Sequence, residues 1–192
     1  MGQWLPLFSC LRLLPHMQAL DVGPGDEVIV PPLTFCATAN AVLYQGGVPV
    51  FADVSPDTLL IDPQAVADCI TPRTKGIIAV DYAGQPCDYD ALRALASRHG
   101  LFLVADACHS LGGRWRERPV GTLADVTCLS FHPVKHITTG EGGMALTDDA
   151  RLAERMMETK AVGPSARGSG RRSNFSISGK LTSTTGLRLP RT

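Results

Sequence analysis

Lys135 lies in the stretch Ser130-Phe131-His132-Pro133-Val134-Lys135-His136-Ile137-Thr138-Thr139-Gly140-Glu141-Gly142-Gly143, between an apolar run and a glycine-rich turn. A lysine so placed is a candidate covalent catalyst. An unperturbed lysine titrates near ~10.4 and has almost no free amine at neutral pH. To attack a carbonyl it must be desolvated or already held as a Schiff base.

Asp106 is the second candidate, because it follows directly on the apolar run Leu101-Phe102-Leu103-Val104-Ala105 and so stands at the mouth of a buried strand. Taken alone, it reads as a cap for the next helix. Paired with Lys135 at the end of another strand, it has a second reading. A carboxylate bonded to a pyridine nitrogen keeps that nitrogen protonated, and a protonated ring is an electron sink for a carbanion. His132 and His136 flank the lysine without metal-ligand spacing to any partner, so no metal is expected.

These residues need a scaffold, and short β-rich runs alternating with helical patterns supply one. Glu27–Val30 reads as a strand that Pro31-Pro32 terminates, and 35–44 as a helix. Strands are expected at 48–54, 76–80, 101–105, 126–131 and 143–147, with helices at 64–70, 88–99 and 150–160. Asp88 and either Asp148 or Asp149 are the expected caps of the last two helices. Continuous apolar strands are expected where helices cover both faces of a mostly parallel sheet. The fold class is therefore α/β, in which ligands collect at the carboxyl ends of strands.

The 192 residues suit one sizeable domain, and equal numbers of basic and acidic residues (18 each) give no sign of a nucleic-acid partner. No apolar run reaches the ~18 residues of a membrane span. Six scattered cysteines, without a Cys-x-x-Cys pair, read as reduced thiols buried as small hydrophobes, in keeping with a cytoplasmic protein. No acidic residue precedes Asp21 or follows Glu158, so both ends differ in kind from the middle. The leucine-rich start is interrupted by Pro6, Arg12 and Pro15 and lacks a basic lead-in, which argues against a secretion signal. Residues 161–192, rich in Ser, Gly, Thr and Arg, read as a solvated or disordered tail.

Four motifs in order resemble the DegT/DnrJ/EryC1/StrS nucleotide-sugar aminotransferases. They are Gly25-Asp26-Glu27-Val28-Ile29-Val30-Pro31, Thr34-Phe35-Cys36-Ala37-Thr38-Ala39-Asn40-Ala41, Asp106-Ala107-Cys108-His109-Ser110-Leu111-Gly112, and the Ser130–Lys135 stretch. The resemblance runs over 20–160, and it implies the large domain, in part, of a fold-type I pyridoxal 5'-phosphate enzyme. Within the family, Asp81-Tyr82-Ala83-Gly84-Gln85-Pro86-Cys87-Asp88 and the lysine stretch look most like the transaminase of pseudaminic acid biosynthesis.

The resemblance implies roles for the matching residues. Lys135 would carry the Schiff base to pyridoxal phosphate and shuttle a proton, and Asp106 would bind the ring nitrogen. His109 would contact the ring, facing like Asp106 if a helix starts there. Phe35 would stack on the ring, and Ser130 would bond the phosphate. Each has a plainer rival: Phe35 as core, His109 as surface, Ser130 as partner to a strand-end backbone group. Glu141 is either solvated in its turn or a substrate contact. Related dehydratases carry histidine at the lysine position, so Lys135 implies amino transfer. The implied partners are a nucleotide-linked keto sugar and an amino acid, glutamate, as amine donor, with a homodimer as the family's assembly.

The chain departs from the family at both ends. Residues 1–19 do not match the helix-start segment that cradles the cofactor phosphate, and a full member is longer than this chain. The segment Thr182–Arg188, read from the third base of each codon, allows Phe-Asn-Tyr-Arg-Leu-Thr, a motif the family places downstream. A frame-shifted continuation is thus a second expectation for 161–192. A catalytically inactive fragment, without turnover, is the alternative to an active enzyme.

Overall fold

The structure, a computed structural model, describes residues 17–161. The expectations for residues 1–16 and for the tail 162–192 lie outside the described residues.

Six strands form the main sheet, in the order β2-β1-β3-β4-β7-β8. They are β1 (Glu27–Val30), β2 (Val48–Phe51), β3 (Thr74–Val80), β4 (Phe102–Asp106), β7 (Val126–Ser130) and β8 (Gly143–Leu146). All neighbours pair in parallel except β8, which runs antiparallel to β7 with Ser130 opposite Gly143. A separate hairpin, β5 (Arg114–Trp115) and β6 (Arg118–Pro119), lies between β4 and β7 in sequence.

Among the described residues, helices α1 (Ala37–Leu43), α2 (Pro63–Asp68) and α3 (Tyr89–His99) lie between strands, and α4 (Ala150–Ala161) follows β8. Strand alternation sends successive side chains to opposite faces, and two cores result. Val28, Val30, Ile78, Val104 and Cys128 face Ala41 and Val42 of α1 and Leu152 and Met156 of α4. Ile29, Ile77, Ala79, Leu103 and Ala105 face Val66 of α2 and Tyr89, Leu92 and Ala96 of α3. The expected parallel α/β sheet with helices on both faces is therefore observed. Met17 is fully buried in the first core.

Local chemistry sets the boundaries. Asp88 caps α3 by accepting the Ala91 N–H at 3.1 Å, and Gly100 ends it in the left-handed region at φ 66°. Of the two aspartates before α4, Asp149 is the cap, accepting the Arg151 N–H at 2.8 Å. Strand β2 stops at Phe51 rather than Val54, because Val54 instead bridges to Ile61. No helix follows Asp106. The chain turns there, with Ser110 N–H bonded to the Ala107 carbonyl at 3.1 Å. The expected burial of the cysteines holds for Cys87 and Cys128 only: Cys69 and Cys108 are half-buried, Cys36 is exposed at the start of α1, and Cys10 lies outside the described residues.

The connection leaving β1 runs outward to β2, while the strands from β3 onward build the other way. That reversal opens a crevice at the carboxyl ends of β1 and β3, where α/β sheets bind ligands.

Candidate active site

A cleft of about 500 Å³ occupies this crevice. Leu33, Thr34 and Phe35 contribute from the loop after β1, Val80 and Tyr82 from the end of β3, and Asp106, Cys108 and His109 from the end of β4. Cys128, Leu129 and Ser130 come from β7, and His132, Val134 and Lys135 from the loop beyond it. Lys135, Asp106, His109, Phe35 and Ser130, spread over a hundred residues of sequence, thus share one cavity. Glu141 does not line it; its Oε1 lies 3.8 Å from His132 Nε2, and His132 does line it.

Asp106 ends β4 opposite Val80 on one side and Cys128 on the other, which fixes its backbone in the sheet. Its side chain is 8% exposed. Oδ2 accepts from Thr38 Oγ1 at 3.2 Å and Oδ1 from the Cys108 N–H at 3.4 Å. Among the described residues no cation pairs with it at salt-bridge distance. An ionised carboxylate has about four acceptor sites, so capacity remains for an incoming donor.

The half-buried Lys135 is held by a turn in which its N–H bonds the His132 carbonyl at 2.9 Å. The loop closes on itself through Phe131 N–H to Gly142 at 2.9 Å and Thr139 N–H to Phe131 at 3.1 Å. Burial pushes the His109 imidazole below its ordinary value, and the Lys135 charge adds to that shift. His109 is therefore mainly uncharged at neutral pH. The Cys108 thiol is pushed up by burial and by the Asp106 charge, so no thiolate is available at that wall.

Ser130 is buried and its Oγ accepts the His132 N–H at 3.4 Å, which leaves its hydrogen for another acceptor. Phe35 is 63% exposed, far from the core reading of a lone phenylalanine. An aromatic face kept in water at a cleft mouth gains from burial under a flat ligand.

The sequence pattern of the DegT/DnrJ/EryC1/StrS aminotransferase family matches residues 10–186. The chain belongs to the DegT/DnrJ/EryC1/StrS aminotransferase family. Spore coat polysaccharide biosynthesis protein SpsC of Bacillus subtilis (strain 168) is 46% identical over 149 residues, covering 77% of this chain and 38% of SpsC. Helicobacter pylori PseC, an aminotransferase involved in the biosynthesis of pseudoaminic acid, superposes with a TM-score of 0.73 at 36% identity, over 78% of this chain and 41% of PseC. The PLP form of Spr1654 from Streptococcus pneumoniae gives a TM-score of 0.74 at 34% identity, over 80% of this chain and 44% of that one. The chain thus spans less than half the length of these relatives.

Several contributors to this DegT-family cleft were not singled out from sequence. Thr38 reads as an ordinary helix residue, yet it is fully buried and bonds Asp106. Tyr82 follows a strand-end aspartate just as Ala107 follows Asp106, and that parallel was the available signal. Asp81 itself is fully buried and accepts from Cys87 N–H at 3.0 Å, Tyr89 O–H at 2.8 Å and Ser110 O–H. It ties the loop carrying His109 to β3 and α3.

Proposed function

We propose that this chain carries the cofactor-binding core of a pyridoxal 5'-phosphate-dependent aminotransferase acting on a nucleotide-linked keto sugar. One observation carries the reading: Lys135 and the buried Asp106, which has no ion-pair partner among the described residues, line the same cleft. The donor set fits the group. A carboxylate with spare acceptor capacity suits a ring N–H, the exposed Phe35 ring suits a flat face, and the free hydrogen of Ser130 suits a phosphate oxygen.

Pyridoxal phosphate, when bound, supplies an electron sink for the carbon bearing the amine. Lys135 binds the cofactor through Nζ and, when Nζ is free, moves a proton at that atom. Asp106 orients the ring and keeps a proton on its nitrogen. His109, uncharged, offers one N–H and one acceptor to the ring edge. Phe35 covers one ring face and keeps water from it, and Ser130 donates to the phosphate. Glu141, beside His132, is assigned to the substrate side.

Lysine rather than histidine at position 135 favours amino transfer over dehydration. Similarity to SpsC and PseC, named for polysaccharide and pseudoaminic acid biosynthesis, supports a sugar substrate, and glutamate is the assigned amine donor. In this reading residues 20–160 form the cofactor-binding core and the protein acts in the cytoplasm as a homodimer. Among the described residues no helix is long and apolar enough to cross a membrane.

The test is amine exchange. Protein loaded with pyridoxal phosphate and given glutamate should release 2-oxoglutarate in proportion to the protein and convert the cofactor to its aminated form. Cofactor capture without exchange would identify a binding core without turnover, the alternative reading. Lys135→Ala protein exchanging at the wild-type rate would refute the assignment.

A further inference from the structure

We propose that Thr38 is a positioning residue for Asp106, set in turn by Thr34, so that two hydroxyls clamp the carboxylate that faces the cofactor ring. The inference rests on the cofactor reading above. A threonine in a helix ordinarily bonds back to the carbonyl one turn earlier or points to water. Thr38, fully buried in the first turn of α1, instead gives its hydroxyl hydrogen to Asp106 Oδ2 at 3.2 Å, joining α1 to β4.

A hydroxyl has one hydrogen, so this bond decides the other. Thr34 Oγ1 lies 2.8 Å from Thr38 Oγ1. With the Thr38 hydrogen committed to Asp106, Thr34 must be the donor and Thr38 the acceptor. The chain runs one way, from Thr34 at the cleft wall through Thr38 to Asp106. The Cys108 N–H holds the other carboxylate oxygen at 3.4 Å, so both oxygens are fixed and the plane of the group is set. That plane determines where a ring N–H must point. A purely space-filling threonine would need no such directionality.

The experiment compares two ligands on the full chain: pyridoxal phosphate, and its analogue with the ring nitrogen replaced by carbon. Wild-type protein should bind the nitrogen-containing ring more tightly. Thr38→Val should weaken pyridoxal phosphate binding roughly tenfold while changing affinity for the analogue less than about twofold, as expected when a hydrogen bond to a charged group is lost. Thr38→Ser should restore binding. Thr34→Val, which leaves the buried position intact, should give a smaller loss confined to pyridoxal phosphate and keeps the test open if Thr38→Val does not fold. Loss of both ligands in equal proportion, or no loss in either valine variant, would overturn the proposal and leave the cofactor reading standing. Wild-type protein that does not distinguish the two ligands would overturn the Asp106 assignment and this inference together.

Discussion

Replacing Asp81 should expose how much of the site's rigidity comes from one buried carboxylate. Its side chain is wholly buried and satisfies three donors: the Cys87 N–H, the Tyr89 hydroxyl and the Ser110 hydroxyl. Asp81→Ala strands all three. A buried donor left unpaired costs about 1–3 kcal/mol, and partial relaxation brings the expected total to about 3–5 kcal/mol. Against a typical domain stability of about 5–15 kcal/mol, that is a severe loss. Asp81→Asn should cost far less, about 1 kcal/mol, because Oδ1 keeps two donors and the new amide can donate to Ser110. The Ser110 hydrogen then turns to the Ala107 carbonyl, 3.5 Å away.

The same pair of variants carries a pH signature. Burial pushes the Asp81 carboxyl above the ordinary carboxylate range, against the pull of its donors. A folded-state value above the unfolded one means the native protein binds the proton more tightly, so stability falls as pH rises between the two values. The fall is at most about 1.4 kcal/mol per pH unit for one proton. Asp81→Asn lacks it, so its deficit against wild type should shrink as pH rises from the unfolded carboxyl value of about 3.9 toward the raised folded one, read from urea midpoints. An alanine variant within about 1 kcal/mol of wild type, or an asparagine deficit that grows with pH, would refute this account of the network.

Gly84 has φ 91°, and an added Cβ would stand 2.9 Å from the His109 carbonyl oxygen. Gly84→Ala should therefore cost about 1–3 kcal/mol in thermal or urea unfolding, whereas Gly23→Ala, with open space around it, should be near neutral. Thiol labelling followed by mass mapping should find exposed Cys36 reacting well before Cys87 and Cys128, whose burial pushes both thiols up. In NMR titration His109 should ionise below the ordinary value of about 6.5, and Lys135→Ala should raise it by removing a neighbouring positive charge.

The sequence made the main strands legible because β1, β3, β4 and β7 are apolar runs buried on both faces, ended by Pro31, Asp81, Asp106 and the lysine loop. The hairpin β5–β6 left no such trace. Each strand has two residues, the pattern is charged, and Arg116 rather than glycine takes the positive φ of 52° at the turn. The antiparallel direction of β8 was equally hidden, since strand composition does not encode direction. His109 reached the cleft through a turn, not the helix on which its facing was expected: Ser110 N–H bonds back to the Ala107 carbonyl, and Gly112 takes a φ of 79° just beyond. Thr38 and Asp81 stand inside quoted motifs without a role of their own for one reason: a buried polar side chain reveals its role only through its partners in the fold.

The most direct test of the central claim is borohydride trapping of pyridoxal phosphate on the purified chain, mapped by peptide mass. The account predicts cofactor mass on the peptide containing Lys135, and none in Lys135→Ala protein. A label carried instead by Lys75, which lines a different cavity by the starts of β3 and β4, or an equal label in the alanine variant, would contradict it.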